Sequence, residues 1–254
     1  MKLTTHLPSI TPVALERATT HPFLRAAGSG TLPKHTLAAW LSQDRLYAQT
    51  YVRFIGQLLS KTHLPPTPSA PGQRSIPEKI LGILVDALNN IHRELAFFED
   101  VAREYGLDLN TPLAELGGPQ EGGGKFAPAP ITQGYIDMFM SASSPGNSLL
   151  EGLVVLWATE ICYLRAWKYA AGFLGRRAEK GGEDTDGGAL REKFIPNWAS
   201  EEFEEFVGKI GDVVDEVAER ELGGEGGDAL ERCERWWRQV VWLEERFWPG
   251  VEEQ

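Results

Sequence analysis

The chain has 254 residues, of which 42% are hydrophobic and 24% are charged, and its formal net charge is −11. The length and balance suit a globular protein with one large domain or two small ones. The negative charge, with no local cluster of Lys and Arg, argues against binding to nucleic acids, and no apolar run reaches membrane-spanning length.

In the first half of the chain, start and stop signals predict a series of helices. A helix opens at a Thr-Pro pair and covers about 12–21, and the Gly-Ser-Gly sequence at 28–30 follows it as a turn. Proline is favoured at the first helical position, so a long helix is predicted over 33–61. A proline-rich loop at 64–72 leads to another long helix over 75–105, which a glycine ends as its C-cap.

The second half continues in the same way. Gly-rich stretches at 113–130 and 175–188 predict loops, and we expect the second of them to be a mobile excursion. The remaining predicted elements are helices at 132–143, 148–174, 200–220 and 228–248. No segment alternates with period two and β-branched enrichment, so the predicted class is all-α, a multi-helix bundle in a single domain.

Acidic residues interrupt the apolar stripe of several helices. Asp44, Glu160 and Glu244 each occupy a position where the helical period expects an apolar side chain, and Glu94 does so less clearly because Leu95 can carry the stripe. Any one of them could be a core acid paired with Arg or Tyr, or lie at the edge of a stripe. Three such acids on different helices, with aromatic residues one turn away, instead predict an acidic, aromatic-walled pocket for a flat, weakly basic ligand.

The other prominent side chains have a simpler interpretation. We assign the following aromatic residues to plain core packing: Tyr51, Trp157, Trp167, Trp237 and Trp248. Cys162 and Cys233 lie inside helical patterns and are too few for a disulfide framework, so they are expected to be buried, inert thiols. With no signal peptide recognisable at the N-terminus, these features favour a cytoplasmic protein.

Several strings resemble the TenA family. They are His21-Pro22-Phe23, the turn at 28–33, the string Gln43-Asp44-Arg45-Leu46-Tyr47 and the ending Glu244-Glu245-Arg246-Phe247-Trp248. That family has a haem-oxygenase-like helical fold and acts on aminopyrimidines derived from damaged thiamin. The resemblance spans most of residues 1–254, which we therefore interpret as one domain with insertions near 64–78, 114–130 and 175–190.

The mid-chain helix departs from the thiaminase II pattern. Thr159 stands where those members carry a nucleophilic cysteine, and Cys162 is predicted to point away from the pocket. The pattern from Trp157 to Tyr163 is similar to the branch in which a glutamate, here Glu160, replaces the thiol. Phe98 also stands where many members have histidine, and Trp198 where a ligand-stacking tyrosine is usual.

The resemblance implies a role for each candidate residue. Asp44 would bind the amino group and ring nitrogen of the pyrimidine, Glu160 would be the acid/base, and Glu244 would act at the exocyclic substituent. The remaining residues would line the pocket or stack on the ligand, namely Tyr47, Tyr135, Tyr163 and Trp198. His21 is expected to order the chain rather than to act chemically.

The implied function is hydrolysis of a C–N bond in thiamin-pyrimidine salvage, with an aminomethyl or N-formylaminomethyl pyrimidine converted to the hydroxymethyl pyrimidine. The same pocket would serve a non-catalytic pyrimidine binder or carrier, and this alternative stays open. A di-iron bundle is disfavoured because no histidine lies three residues after a glutamate. Haem held by His21 is disfavoured by the net charge. We therefore expect no cofactor and no metal, an aminopyrimidine as the small-molecule partner, and a dimer or tetramer by analogy with the family.

Overall fold

A computed structural model describes residues 2–70, 72–111, 126–175, 183–223 and 227–251. Within these ranges the chain is helical and contains no strand, which confirms the all-α prediction. The helices are α1 Leu3–Ile10, α2 Pro12–Thr19, α3 Pro22–Ser29, α4 Lys34–Ser60, α5 Ile76–Tyr105, α6 Pro130–Ala142, α7 Leu149–Ala171, α8 Ile195–Trp198, α9 Glu201–Leu222 and α10 Gly227–Phe247. A π-helical turn, Leu190–Phe194, runs directly into α8.

The start and end signals that were read from the sequence act as expected in the long helices. Ser75 and Glu78 form a reciprocal capping box at the start of α5, and Ser148 and Glu151 do the same at the start of α7. Gly106 ends α5 with a φ of 60°, in the left-handed region that favours glycine. These caps explain why the observed bounds of both helices lie close to the predicted ones.

The N-terminal region contains more helix than predicted. The extra helix α1 buries Leu3 and Leu7, which are one turn apart. The predicted helix over 12–21 ends at Thr19, and α3 begins after His21, whose Nδ1 accepts a hydrogen bond from the Phe23 N–H at 3.2 Å. His21 therefore caps a helix, which agrees with the ordering role expected for it.

The predicted excursion at 175–188 is partly anchored. Residues 176–182, like 112–125 in the other Gly-rich stretch, lie outside the described residues. In the described part, the Thr185 hydroxyl donates to the Leu32 carbonyl at 2.7 Å, and Asp186 is buried. The Asp186 carboxylate accepts the N–H groups of Gly188 and Leu190, so it caps the π-helical turn. In 183–188 the chain is therefore attached to the body of the protein by these hydrogen bonds and does not project from it as a free excursion.

The helix α7 lies at the centre of the molecule. It packs against α2, α3, α9 and α10, while α4 packs against α5 and α6. The buried apolar side chains form one continuous core that includes the aromatic cluster around Trp40 and Trp167. Within the described residues, no helix is long and apolar enough to cross a membrane.

Candidate functional site

A cavity of about 290 Å³ lies among α4, α5, α7, α8 and α9. Four acids line it, of which Glu202 on α9 is exposed and three are not: Asp44 on α4, Glu94 on α5 and Glu160 on α7. We call these three the cavity acids. Aromatic side chains supply much of the remaining wall, namely Tyr47, Tyr51, Phe97, Phe98, Tyr163, Trp198, Phe203 and Phe206. The acidic, aromatic-walled pocket that the sequence predicts is therefore present, with Glu94 as a full member of it.

Two tyrosines hold two of the cavity acids. The Tyr163 hydroxyl donates to Oδ2 of Asp44 at 3.2 Å, and the Tyr51 hydroxyl donates to Oε1 of Glu160 at 2.6 Å. Burial raises the pKa of both phenols well above the ordinary value, so both remain protonated donors. Each carboxyl group is thereby fixed in orientation from its own side of the cavity.

The third cavity acid is held by the segment that follows the π-helical turn. The Trp198 Nε1–H donates to Oε1 of Glu94, and Asn197 Nδ2 donates to Oε2 of Glu94 at 3.2 Å. The Trp198 ring is itself packed, with Phe194 stacked at 4.7 Å and Trp167 at 4.4 Å between ring centroids. Trp198 thus lines the cavity as predicted, as a ring fixed by these contacts.

The remaining two predicted residues lie behind this wall. Glu244 on α10 and Tyr135 on α6 are buried and do not line the cavity. Among the described residues the Tyr135 hydroxyl has no well-aligned hydrogen-bond partner, although it is close enough to Glu244 to lower the pKa of that carboxyl group. Tyr47 lies between this pair and the cavity, with its ring edge-on to Tyr135 at 5.1 Å. Glu244 and Tyr135 therefore form a deeper layer.

Burial raises the pKa values of these acids, since no cation forms an ion pair with any of them among the described residues. Desolvation is the main cause in every case, and it raises the pKa of Glu94 and of Glu160 to about 7 and that of Glu244 to about 8. The pKa of Asp44 is raised well above its ordinary value, first by burial and then by the charge of Glu94. Glu94 and Glu160 keep part of their surface open to the cavity, so these groups can exchange protons with a ligand or water.

The hydroxyl and thiol groups near Glu160 are poor nucleophiles. The Thr159 hydroxyl is buried and donates to backbone carbonyls of its own helix, at 3.1 Å to Val155 and 3.0 Å to Leu156. Cys162 is fully buried outside the cavity lining, and burial raises the pKa of its thiol well above the ordinary value. Glu160 is therefore the group on this face of α7 that can exchange a proton with the cavity.

The cavity opens between α5 and α9. Two lining residues there, Arg93 and Glu202, have side chains that are 65% and 78% exposed and form an ion pair of 3.2 Å across the opening. Trp198, which also lines the cavity, is buried and packs on the buried Trp167. Among the described residues, no group of three or more His, Cys, Asp and Glu side chains is arranged to hold a metal ion.

Two residues of the site have a larger part than the sequence predicts. Core packing is the prediction for Tyr51, but its hydroxyl binds Glu160, and the ring lines the cavity. Glu94 is only a weak candidate from the sequence, because Leu95 can carry the stripe of α5. A signal was present in both cases: Tyr51 follows Tyr47 by one turn, and both point to the same face of α4 as Asp44.

An all-helical bundle with a buried cavity walled by acids and aromatic rings is the architecture of a small-molecule site. The sequence model of the TENA/THI-4/PQQC family matches residues 7–254. The chain belongs to this family.

Solved structures agree on the fold. A TenA homologue from Pyrococcus furiosus superposes with a TM-score of 0.73 at 24% identity, covering 97% of this chain and 98% of that one. A TenA family protein from Silicibacter, titled a transcription regulator, gives 0.72 at 17% identity over 97% and 95% of the two chains. These matches establish the haem-oxygenase-like fold of the TenA structures for the present chain.

Curated relatives carry varied names. A Fusarium pseudograminearum protein named a probable transcription factor is 33% identical over 97% of this chain, which spans only 51% of that relative. A soybean protein named a probable bifunctional TENA-E protein is 21% identical, over 91% of this chain and 85% of its own length.

Proposed function

We propose that the protein is a hydrolase of thiamin-pyrimidine salvage that acts on an exocyclic C–N bond of an aminopyrimidine. Membership of the TENA/THI-4/PQQC family supports a thiamin-related role. The observation that carries the finer proposal is the pair of tyrosine-held acids, Asp44 on α4 and Glu160 on α7, which line one aromatic cavity.

Asp44 is the group suited to bind the ring. An aminopyrimidine presents an amino group beside a ring nitrogen, which a carboxyl group can engage with two hydrogen bonds, one of them accepted by the nitrogen if the acid keeps its proton. The raised pKa of Asp44 favours that shared proton. Tyr47, Tyr163 and Trp198 supply faces and edges for the flat ring.

Glu160 is the group suited to move a proton at the exocyclic carbon. In the amine reaction R–CH2–NH3⁺ and water give R–CH2–OH and NH4⁺: the C–N bond breaks with its electron pair going to nitrogen, and water oxygen bonds to carbon. The water proton passes to the Glu160 carboxylate and from there to the departing ammonia. A pKa of about 7 suits a group that must both accept and return a proton near neutral pH.

Glu244 supports the site from behind the wall. The family resemblance assigns it to the exocyclic substituent, but it lies in the deeper layer with Tyr135. Burial is the main cause of the raised pKa of both Asp44 and Glu244, and the charges of neighbouring acids add to it. We propose that Glu244, which a pKa of about 8 keeps mostly protonated near neutral pH, supports the wall of the site and does not contact the ligand.

Glu160→Gln is the test of this function. Glutamine keeps the size of the side chain and an acceptor for Tyr51 but cannot exchange a proton, so turnover should fall by about two to four orders of magnitude while affinity for the neutral hydroxymethyl pyrimidine is retained. The assay is mass-spectrometric detection of the hydroxymethyl pyrimidine from the aminomethyl and N-formylaminomethyl substrates, with affinity measured by calorimetry. Glu202→Gln, at the exposed opening, is the matched control and should keep activity.

The same experiment separates catalysis from mere binding. If wild type binds the pyrimidines but releases no product, the protein is a binder or carrier. If Glu160→Gln turns over at the wild-type rate, the acid/base assignment is wrong.

A further inference from the structure

Glu94 is a cavity acid for which the reaction above has no use. Its two oxygens each accept one hydrogen bond, from Trp198 and Asn197, both of them neutral donors. A carboxylate has about four acceptor positions, so about half of its capacity stays unused on the cavity side. The group is held in place and has room for another donor.

A neighbouring cation offsets the negative charge of Glu94 only weakly, since Arg93 lowers the pKa of Glu94 less than the hydrogen bonds from Trp198 and Asn197 do. Within the described residues no Lys or Arg forms an ion pair with it, and the adjacent Arg93 turns outward to Glu202 at 3.2 Å and to Asn90 at 2.6 Å. Glu94 is instead close enough to Asp44 and Glu160 to raise the pKa of both. The cavity therefore has a surplus of acceptors and negative charge on facing walls.

This surplus selects among ligands that share the same ring. In the proposed function Asp44 holds the ring and the exocyclic substituent lies at Glu160, and Glu94 is close enough to Glu160 to raise its pKa. A neutral hydroxyl or formamide there would replace water around Glu94 with a weaker partner, whereas an ammonium group can donate to Glu94 and Glu160 at once. Asp44 provides the fit to the ring, and Glu94 distinguishes charged from neutral substituents.

We propose that Glu94 is a specificity-determining residue that binds the protonated exocyclic amine of the ligand, so that the site prefers an aminomethyl pyrimidine to its neutral hydroxymethyl and formamide counterparts. The orientation of the ring in this inference rests on the proposed function. The preference itself is a property of binding and can be measured without turnover.

The test compares two ligands that differ only in the substituent. Dissociation constants of the aminomethyl and hydroxymethyl pyrimidines are measured by calorimetry for wild type, Glu94→Gln and Glu205→Gln. Wild type should favour the amine by about 10- to 100-fold, the size of one hydrogen bond to a charged group. Glu94→Gln should lose this preference through weaker amine binding alone, and Glu205→Gln, which changes an exposed acid of α9 outside the cavity lining, should keep it.

Glu94→Asp is the control for an effect that comes only from misfolding. It keeps the charge but shortens the side chain, so it should retain part of the preference, and thermal melts confirm that each variant is folded. An undiminished preference in folded Glu94→Gln, or no preference in wild type, would overturn the inference. Absence of turnover in a wild type that still prefers the amine would count against the proposed function only.

Discussion

At the scale of single residues, the site depends on tyrosines that keep their protons. Tyr51 and Tyr163 stand on α4 and α7, and each donates to an acid on the other helix. A carboxyl group that already accepts a hydrogen bond from a fixed phenol presents its free lone pairs in one direction. This crossed arrangement links the two helices and aims Asp44 and Glu160 at the same space.

Replacing Asp44 tests the orienting contact with the ring. Asp44→Ala should weaken binding of the hydroxymethyl pyrimidine by about 100-fold, because a charge-assisted hydrogen bond is lost and Tyr163 is left without its acceptor. Tyr163→Phe is the comparison and should have a smaller effect, since it removes only the hydrogen bond that holds Asp44. Calorimetry gives both dissociation constants, and an unchanged value for Asp44→Ala would place the ring elsewhere.

At the scale of elements, α7 carries two buried acids in opposite situations. Glu151 lies in the first turn, where it accepts hydrogen bonds from the Ser148 N–H, from Arg232 at 3.1 Å and from Trp236 at 2.9 Å. Its pKa is lowered, because these hydrogen bonds outweigh the desolvation of the group. Glu160, in the middle of the same helix, has only the Tyr51 hydroxyl and a raised pKa. Glu151 therefore stabilises the folded state, whereas the charged form of Glu160 destabilises it.

The two acids should therefore respond oppositely to the same substitution. At pH 8, Glu151→Gln should lower the melting temperature by a few degrees, because hydrogen bonds to a charged group are worth about 1.5–3 kcal/mol. Glu160→Gln should raise the melting temperature at that pH, because it removes a buried charge without a cationic partner. Differential scanning calorimetry measures the melting temperatures of both variants. If both substitutions shift the melting temperature in the same direction, burial of the Glu160 charge does not destabilise the fold.

Local signals explain which elements could be predicted. The long helices carry their own caps and apolar stripes, so α4, α5, α7, α9 and α10 were predicted with nearly correct bounds. The π-helical turn and α8 were not, because Asp186 and the packing of Phe194 on Trp198 fix them from a distance. The position of Glu244 behind the wall was also beyond prediction, since a helical period gives a face but not the depth of a neighbouring cavity.

At the scale of the whole molecule, several buried acids share one pH window. Glu94, Glu160 and Glu244 have folded pKa values of about 7, 7 and 8, against an ordinary value of 4.5. At pH values between the ordinary pKa and these raised pKa values, the folded protein binds more protons than the unfolded chain. Stability should therefore be greatest near the ordinary value and fall as the pH rises toward 8.

Thermal melts across this window check that prediction. The melting temperature should be lower at pH 8.5 than at pH 5.5 by several degrees, given about 2–4 °C for each kcal/mol in a domain of this size. Glu160→Gln should flatten the dependence in part, and Glu202→Gln should leave it unchanged. A melting temperature that is level or rises over this interval contradicts the assigned proton affinities.

The position of the opening has a kinetic consequence. Among the described lining residues, the exposed ones are Arg93, Asn197 and Glu202, on α5, α8 and α9. In the proposed reaction the substrate and the product formed from it would bind in this one cavity, so the two could not occupy it together. Accumulating product would then compete directly with fresh substrate, and turnover would slow down as product builds up.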